Sequence, residues 1–187
     1  MSHEFTGGSL NTDIESILFT QDELHEFVQK IGGKITEDYR GRQPFFIGVL
    51  KGSFMFMADL MRAVSLDCYM DFISVSSYGS KSVSSGEVQI TKDLSCDIAG
   101  REVVIVEDIL DSGTTLSYLA DYLALRNPSS VKIVTLFDKP SRRKTHIEAD
   151  YCGCEVPDEF IVGYGLDFAE RYRNLPYIGI LKPEVYK

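Results

Sequence analysis

The segment from residue 103 to 115 constrains this chain most. Val103-Val104-Ile105-Val106 is a short β-branched run that passes directly into Glu107-Asp108-Ile109-Leu110-Asp111-Ser112-Gly113-Thr114-Thr115. Leu116, Leu119, Ala120 and Leu123 then recur at helical spacing until Pro128. Continuous rather than alternating apolarity marks a strand covered on both faces, as in a parallel sheet. A strand, a Gly-bearing turn and a helix in that order form the first half of an α/β unit. In open α/β sheets, ligands bind at the carboxyl ends of the strands. The turn into a helix presents N–H donors to a phosphate, helped by the helix dipole. Ser112, Thr114 and Thr115 add hydroxyls. Adjacent Glu107 and Asp108 repel unless a cation or a hydroxyl-rich ligand joins them. A sugar phosphate with Mg²⁺ meets both demands.

The rest of the chain fits an α/β domain. Thr20 and Glu23 form a T-x-x-E capping box that starts a helix with Leu24, Phe27, Val28, Ile31 and Ile35 on one stripe. Gly32 and Gly33 inside it imply close packing or a break. Phe45 to Leu50 reads as a buried strand, Lys51-Gly52-Ser53 as a turn, and Phe54 to Val64 as a helix with Phe54, Met57, Ala58 and Met61 inward. Leu66 to Val75 and Val131 to Phe137 are further strand candidates, and Phe160 to Gly165 is another short apolar segment. Ser76 to Glu87 is polar and longer than most connections, as lid loops are. The chain is expected to form one domain over 1–187, since its 187 residues match the usual domain size.

Charge and cysteines narrow the partners. The chain carries 19 Lys plus Arg against 28 Asp plus Glu, a formal charge of −9. An acidic chain is a poor candidate for nucleic acid or a membrane surface, both polyanions. No stretch approaches the roughly 20 apolar residues of a spanning helix, and the N-terminus lacks a signal-type apolar segment. Cys68, Cys96, Cys152 and Cys154 form neither a C-x-x-C pair nor a zinc pattern. Idle thiols in a reducing cytoplasm follow. His3, His25 and His146 read as surface residues, and Arg142-Arg143-Lys144 as a solvated basic run. The G-x-x-x-x-G-K-[ST], G-x-G-x-x-G and G-x-S-x-G motifs are absent.

Glu107 to Thr115 with its preceding strand resembles the phosphoribosyl-diphosphate (PRPP) signature of type I phosphoribosyltransferases. Leu50-Lys51-Gly52-Ser53, Ser76-Ser77-Tyr78-Gly79, Phe137-Asp138-Lys139-Pro140, Pro157 to Asp167 and Arg171 to Tyr177 narrow the likeness to the hypoxanthine-guanine phosphoribosyltransferases, in collinear order over roughly residues 20 to 181. The resemblance implies the type I fold: a mainly parallel twisted sheet flanked by helices, with a mobile lid and a small C-terminal hood. It places the core at about residues 20–150 and the purine-binding hood at about 151–187. It implies purine salvage: hypoxanthine or guanine plus PRPP gives IMP or GMP plus diphosphate, with Mg²⁺.

Roles carry over position by position. Glu107 and Asp108 would hold the ribose hydroxyls directly or through Mg²⁺. The signature backbone from Asp111 through Ser112, Gly113 and Thr114 to Thr115 would cradle the 5′-phosphate, with Ile109 and Leu110 lining the same substrate site. Asp111 would be the general acid/base at purine N7. Lys51 and Gly52 would form the diphosphate loop, which carries a non-proline cis peptide in this family. Lys139 would donate to the purine 6-oxo group, Phe160 would stack on the ring, and Ile161 would offer backbone contacts. Asp167 would hold a second Mg²⁺ and Arg173 would clamp diphosphate. Ser76 and Tyr78 would begin the lid.

Members form homodimers and homotetramers, and either is expected here. A non-catalytic PRPP-sensing regulator on the same fold is a competing reading. The acidic charge, single-domain length, Asp111 and Lys139 count against it. Lys139 also argues against adenine as acceptor, while xanthine stays compatible with the sequence.

Overall fold

The computed structural model describes residues 12–77 and 88–187. The element order is β1 (Ile14–Phe19), α1 (Gln21–Asp38), β2 (Phe45–Leu50), α2 (Phe54–Ala63), β3 (Tyr69–Ser77), β4 (Val88–Lys92), β5 (Glu102–Leu110), α3 (Thr114–Ala124), β6 (Ser130–Asp138), β7 (Tyr151–Glu155), β8 (Ile161–Val162), β9 (Ile178–Leu181) and α4 (Pro183–Tyr186).

A six-stranded sheet in the order β4-β3-β2-β5-β6-β7 carries the fold. All its pairings are parallel except β3 with β4. Side chains alternate across a strand, so neighbouring residues feed different layers. Phe46, Val104 and Val106 pack under α1 and α2. Phe45, Ile47, Val103 and Ile105 pack with Leu116, Leu119 and Leu123 of α3. This is why the β-branched runs have no polar face: each strand is covered on both sides.

The chain runs outward from β2 to β3, then returns to place β5 on the other side of β2. Loops leaving β2 and β5 therefore diverge, and a crevice opens beyond their carboxyl ends.

The first helix forms as the capping box dictates. Thr20 N donates to Glu23 Oε2 (2.8 Å), and Glu23 N donates to Thr20 Oγ1 (3.3 Å). The helix runs unbroken through its glycine pair. A Cβ on Gly32 would lie 2.6 Å from Ala63 Cβ, so α1 and α2 approach closely at this position, whereas Gly33 faces open space.

Several expectations are corrected. Helix α2 buries Phe56, Met57 and Leu60, and Phe54 and Ala58 face outward. Its apolar stripe is rotated because Phe56 faces the layer shared with α1. Strand β3 starts later than Leu66 and reaches Ser77, where it pairs with the edge strand β4. The hood is not the block after Tyr151. Tyr151–Glu155 is the last strand of the main sheet, paired with β6. A separate antiparallel sheet, β1-β9-β8, combines Ile14–Phe19 with the C-terminal strands. Its own small core comprises Val162, Tyr172, Leu175, Tyr177 and Leu181. Nothing in the polar N-terminal stretch signalled that Ile14–Phe19 would serve a partner some 160 positions away.

The four cysteines are free. Among the described residues no helix is long and apolar enough to cross a membrane.

Candidate active site

The crevice at the ends of β2 and β5 is a cleft of about 290 Å³. It gathers Lys51, Gly52, Glu107, Asp108, Ile109, Leu110, Asp111, Ser112, Gly113, Thr115, Asp167 and Arg173, with Val49, Leu50, Val75 and Leu116 as apolar walls.

Strand β5 delivers the carboxylates. Asp108 is only 8% exposed. Its Oδ1 accepts from Ile109 N (2.7 Å), and Asp108 N donates to Glu107 Oε1 (3.3 Å). Burial first, and the neighbouring Asp108 second, hold the Glu107 carboxyl well above the usual range. Burial also raises Asp108, against the opposing pull of its hydrogen bonds and of Arg173. An acid pair with raised affinity for protons, Asp108 buried and Glu107 partly exposed, is a site that favours any other cation. Gly52 is required beside it, since a Cβ there would sit 1.8 Å from Asp108 Oδ2. The Leu50–Lys51 peptide before it is cis.

The turn after β5 is built to receive an anion. Gly113 adopts φ 81° as the residue before α3, a conformation suited to glycine. It supplies no capping side chain, and the first turn of α3 holds no acidic residue. Apart from Thr114 N, the helix-start N–H groups and the positive end of the dipole are thus left for a ligand. Ser112 Oγ approaches Thr114 N at 3.4 Å. Asp111 Oδ1 is buried without a hydrogen-bond partner, unusual for a carboxylate oxygen.

The opposite wall comes from the hood. Arg173 Nη1 donates to Gly165 O (2.8 Å), and Nη2 pairs with Asp167 (2.8 Å) and Glu170 (3.4 Å). Lys51 Nζ also meets Glu170 (2.9 Å). Both side chains of that pair are largely exposed, 64% and 65%, so the bond is worth little and yields readily.

Some expected residues lie elsewhere. Lys139 stands just past β6, 5% exposed, and Nζ donates to Glu159 O (2.7 Å). Burial, then Arg142, lowers its pKa, and Asp111 opposes them. An ammonium carries three donors, so two stay available. Phe160 is half-buried and stacks on Tyr186 (4.8 Å) with Phe168 edge-on (5.5 Å). Ile161 is buried in β8 opposite Ile180. Thr114 accepts a hydrogen bond from Ser112 and does not line the cleft. Ser76 pairs with Gln89 in β4 and does not line the cleft. Tyr78 and most of the expected lid lie outside the described residues.

Two contributors carried no sequence signal. Glu170 joins both cations although no spacing singled it out. Arg143, read as part of a solvated run, has its guanidinium turned inward (16% exposed).

For a metal the fit is partial by protein alone. Among the described residues no group of three or more His, Cys, Asp or Glu is placed to hold an ion. Glu107 and Asp108 do fit Mg²⁺, which takes one or two carboxylates and completes its shell with water and substrate oxygens. Asp167 is engaged on both oxygens, one with Arg173 and one accepting from Glu170 N (2.9 Å).

Comparison with known proteins bears on this geometry. Residues 20–169 match the phosphoribosyl transferase domain. A hypoxanthine-guanine phosphoribosyltransferase of Bacillus subtilis is 55% identical over 175 residues, covering 94% of this chain and 97% of that protein. The bifunctional TilS/HprT protein of Listeria monocytogenes is 57% identical over 95% of this chain, which spans only 28% of that longer relative. The crystal structure of a hypoxanthine phosphoribosyltransferase from Staphylococcus aureus superposes with a TM-score of 0.93 at 48% identity, covering 97% of this chain and 99% of that one. Fold, cleft position and these likenesses agree, and the chain belongs to the phosphoribosyl transferase domain family, in its hypoxanthine-guanine branch.

Proposed function

We propose that the protein salvages purines by moving the 5-phosphoribosyl group of PRPP to N9 of hypoxanthine or guanine, forming IMP or GMP and releasing diphosphate. The observation that carries this reading is the one cleft in which an uncapped helix start, the adjacent Glu107 and Asp108 carboxylates, an unpartnered Asp111 oxygen and the cations of Lys51 and Arg173 converge.

The assignments follow the chemistry of each group. The N–H groups from Asp111 to Thr115 bind the 5′-phosphate. Glu107 and Asp108 face the ribose hydroxyls. As N9 bonds to C1′ and the bond from C1′ to diphosphate breaks, positive charge builds on the ribose, and these carboxylates stabilise it. Asp111 accepts the N7 proton, provided the purine lies within hydrogen-bond reach. Lys139, with donors to spare, meets the 6-oxo group; a 6-amino group would present a donor to a donor. Arg173, by its fork, and Lys51, as a point charge, receive diphosphate once Glu170 yields. Mg²⁺, when bound with PRPP, neutralises the departing diphosphate, and Glu107 and Asp108 are the residues that would hold it. Phe160 and Ile161 belong to the purine side of the hood in this reading, and Asp167 orients Arg173. A cytoplasmic homodimer or homotetramer accompanies the proposal on family grounds.

The test is diphosphate release with PRPP, Mg²⁺ and each purine separately. Turnover with hypoxanthine or guanine is expected. No turnover with either overturns the proposal.

A further inference from the structure

The basic run after β6 divides in the fold. Arg142 points out to Asp158. Arg143 turns in: Nη1 donates to Asp111 O (2.7 Å) and Leu110 O (3.1 Å), and Nη2 pairs with Asp138. Lys144 N donates to Ser112 O (2.9 Å). Three successive carbonyls of the signature turn are therefore held from behind by one short segment. Thr145 and Ile147 continue the wall, packed so closely that a Cβ on Gly113 would meet Thr145 Oγ1 at 2.3 Å and Ile147 Cγ2 at 2.8 Å.

This matters because Asp111 has no other restraint at Oδ1. A carboxylate without a side-chain partner is aimed by its backbone alone. The Arg143 fork also bonds Asp138, the residue before Lys139, while Lys139 N donates to Leu110 O (3.0 Å). One guanidinium thus ties together the two strand ends that carry Asp111 and Lys139.

We infer that Arg143 is a positioning residue, which sets Asp111 against the purine by clamping the Leu110–Asp111 turn to Asp138. The inference rests on the proposed transferase reading. Lysine cannot replace it, since a single ammonium on a flexible stem does not reproduce a planar fork with donors to three acceptors.

The test compares Arg143→Ala and Arg143→Lys with the unaltered protein for kcat with hypoxanthine and PRPP, IMP affinity, thermal midpoint and rescue by methylguanidine. Misplacing a catalytic group by ~1 Å costs on the order of 100-fold, so kcat is expected to fall about 30- to 100-fold in both variants, with IMP affinity changed less than about threefold. Methylguanidine restores part of the activity of the alanine variant and none of that of the lysine variant. Activity in Arg143→Lys within about twofold of the parent, or losses of kcat and IMP affinity in proportion, overturns the inference. Lack of rescue in a folded alanine variant does so as well. Loss of folded protein in both variants assigns Arg143 to stability alone and equally overturns it. Failure of the transferase reading is distinct, because the unaltered protein would then release no diphosphate.

Discussion

Gly165 is where the segment after β8 rests on the turn at Gly52, and replacing it with alanine tests whether that contact sets the site. The residue sits at φ 103°, and a Cβ there would lie 2.1 Å from Gly52 O and 3.2 Å from Gly52 C. Neither obstacle is a flexible side chain. Real Cβ atoms stay beyond 3.0 Å of such neighbours, so the two backbones must part by ~0.9 Å or more against packed surroundings. Both sides carry chemistry. Gly165 O accepts from Arg173 Nη1, and Gly165 N donates to Arg173 O (3.0 Å). Gly52 packs against the Asp108 carboxylate.

Forcing alanine into positive φ costs about 1–2 kcal/mol, and overpacking adds about 1–2 kcal/mol more. A total of roughly 2–4 kcal/mol lowers the melting midpoint by about 5–15 °C in a chain of this size. A separation approaching 1 Å should cut kcat/KM for PRPP on the order of 100-fold. Scanning calorimetry and initial-rate assays read the two effects. Gly33→Ala is the control: its Cβ meets nothing within 4 Å, in a helix interior, so stability should rise by about 0.5–1 kcal/mol with activity unchanged. A Gly165→Ala protein that melts within about 2 °C of the parent and keeps its kcat/KM within about threefold refutes the reasoning.

Two further outcomes follow from the carboxylates. Asp111→Asn should lower kcat on the order of 100-fold, as loss of a general base does, while IMP binding measured by calorimetry changes far less; equal losses would make Asp111 a ligand-positioning group only. Glu107 is pushed up by burial and by Asp108. The folded chain then binds more protons than the unfolded one, so the associated stability is full below about pH 4.5 and is lost as pH rises through the folded value. Glu107→Gln should therefore melt higher than the parent at neutral pH without ligand, and its pH dependence should be flatter; a steeper dependence would contradict the burial argument.

Much of the centre was legible because it is local. The turn from β5 into α3 places eight of its nine signature residues on the cleft, Glu107 to Gly113 in one unbroken run and Thr115 after it, as strand-end geometry requires. The capping box at Thr20 formed because its partners are three residues apart. The phase of α2 was misread because apolar residues occupy nearly every position of Phe54 to Met61, and periodicity alone cannot choose a face when most faces qualify. Arg143 was misread for a related reason. Charge in a run indicates solvent on average, and only the turn it faces supplies buried carbonyls.

By itself the sequence determined the local chemistry: a doubly covered strand, a phosphate-type turn, an acidic pair ahead of it and the family to which those motifs belong. The tertiary structure alone decided which distant groups meet. It brought Arg173 and Asp167 across from the hood, seated Ile14–Phe19 beside the C-terminal strand, assigned Tyr151–Glu155 to the main sheet and turned Arg143 inward. The physical reason is reach. Caps, turns and strand ends are set by residues within a few positions, whereas cross-chain contacts depend on sheet order and on how closely backbones approach, as at Gly165 and Gly52.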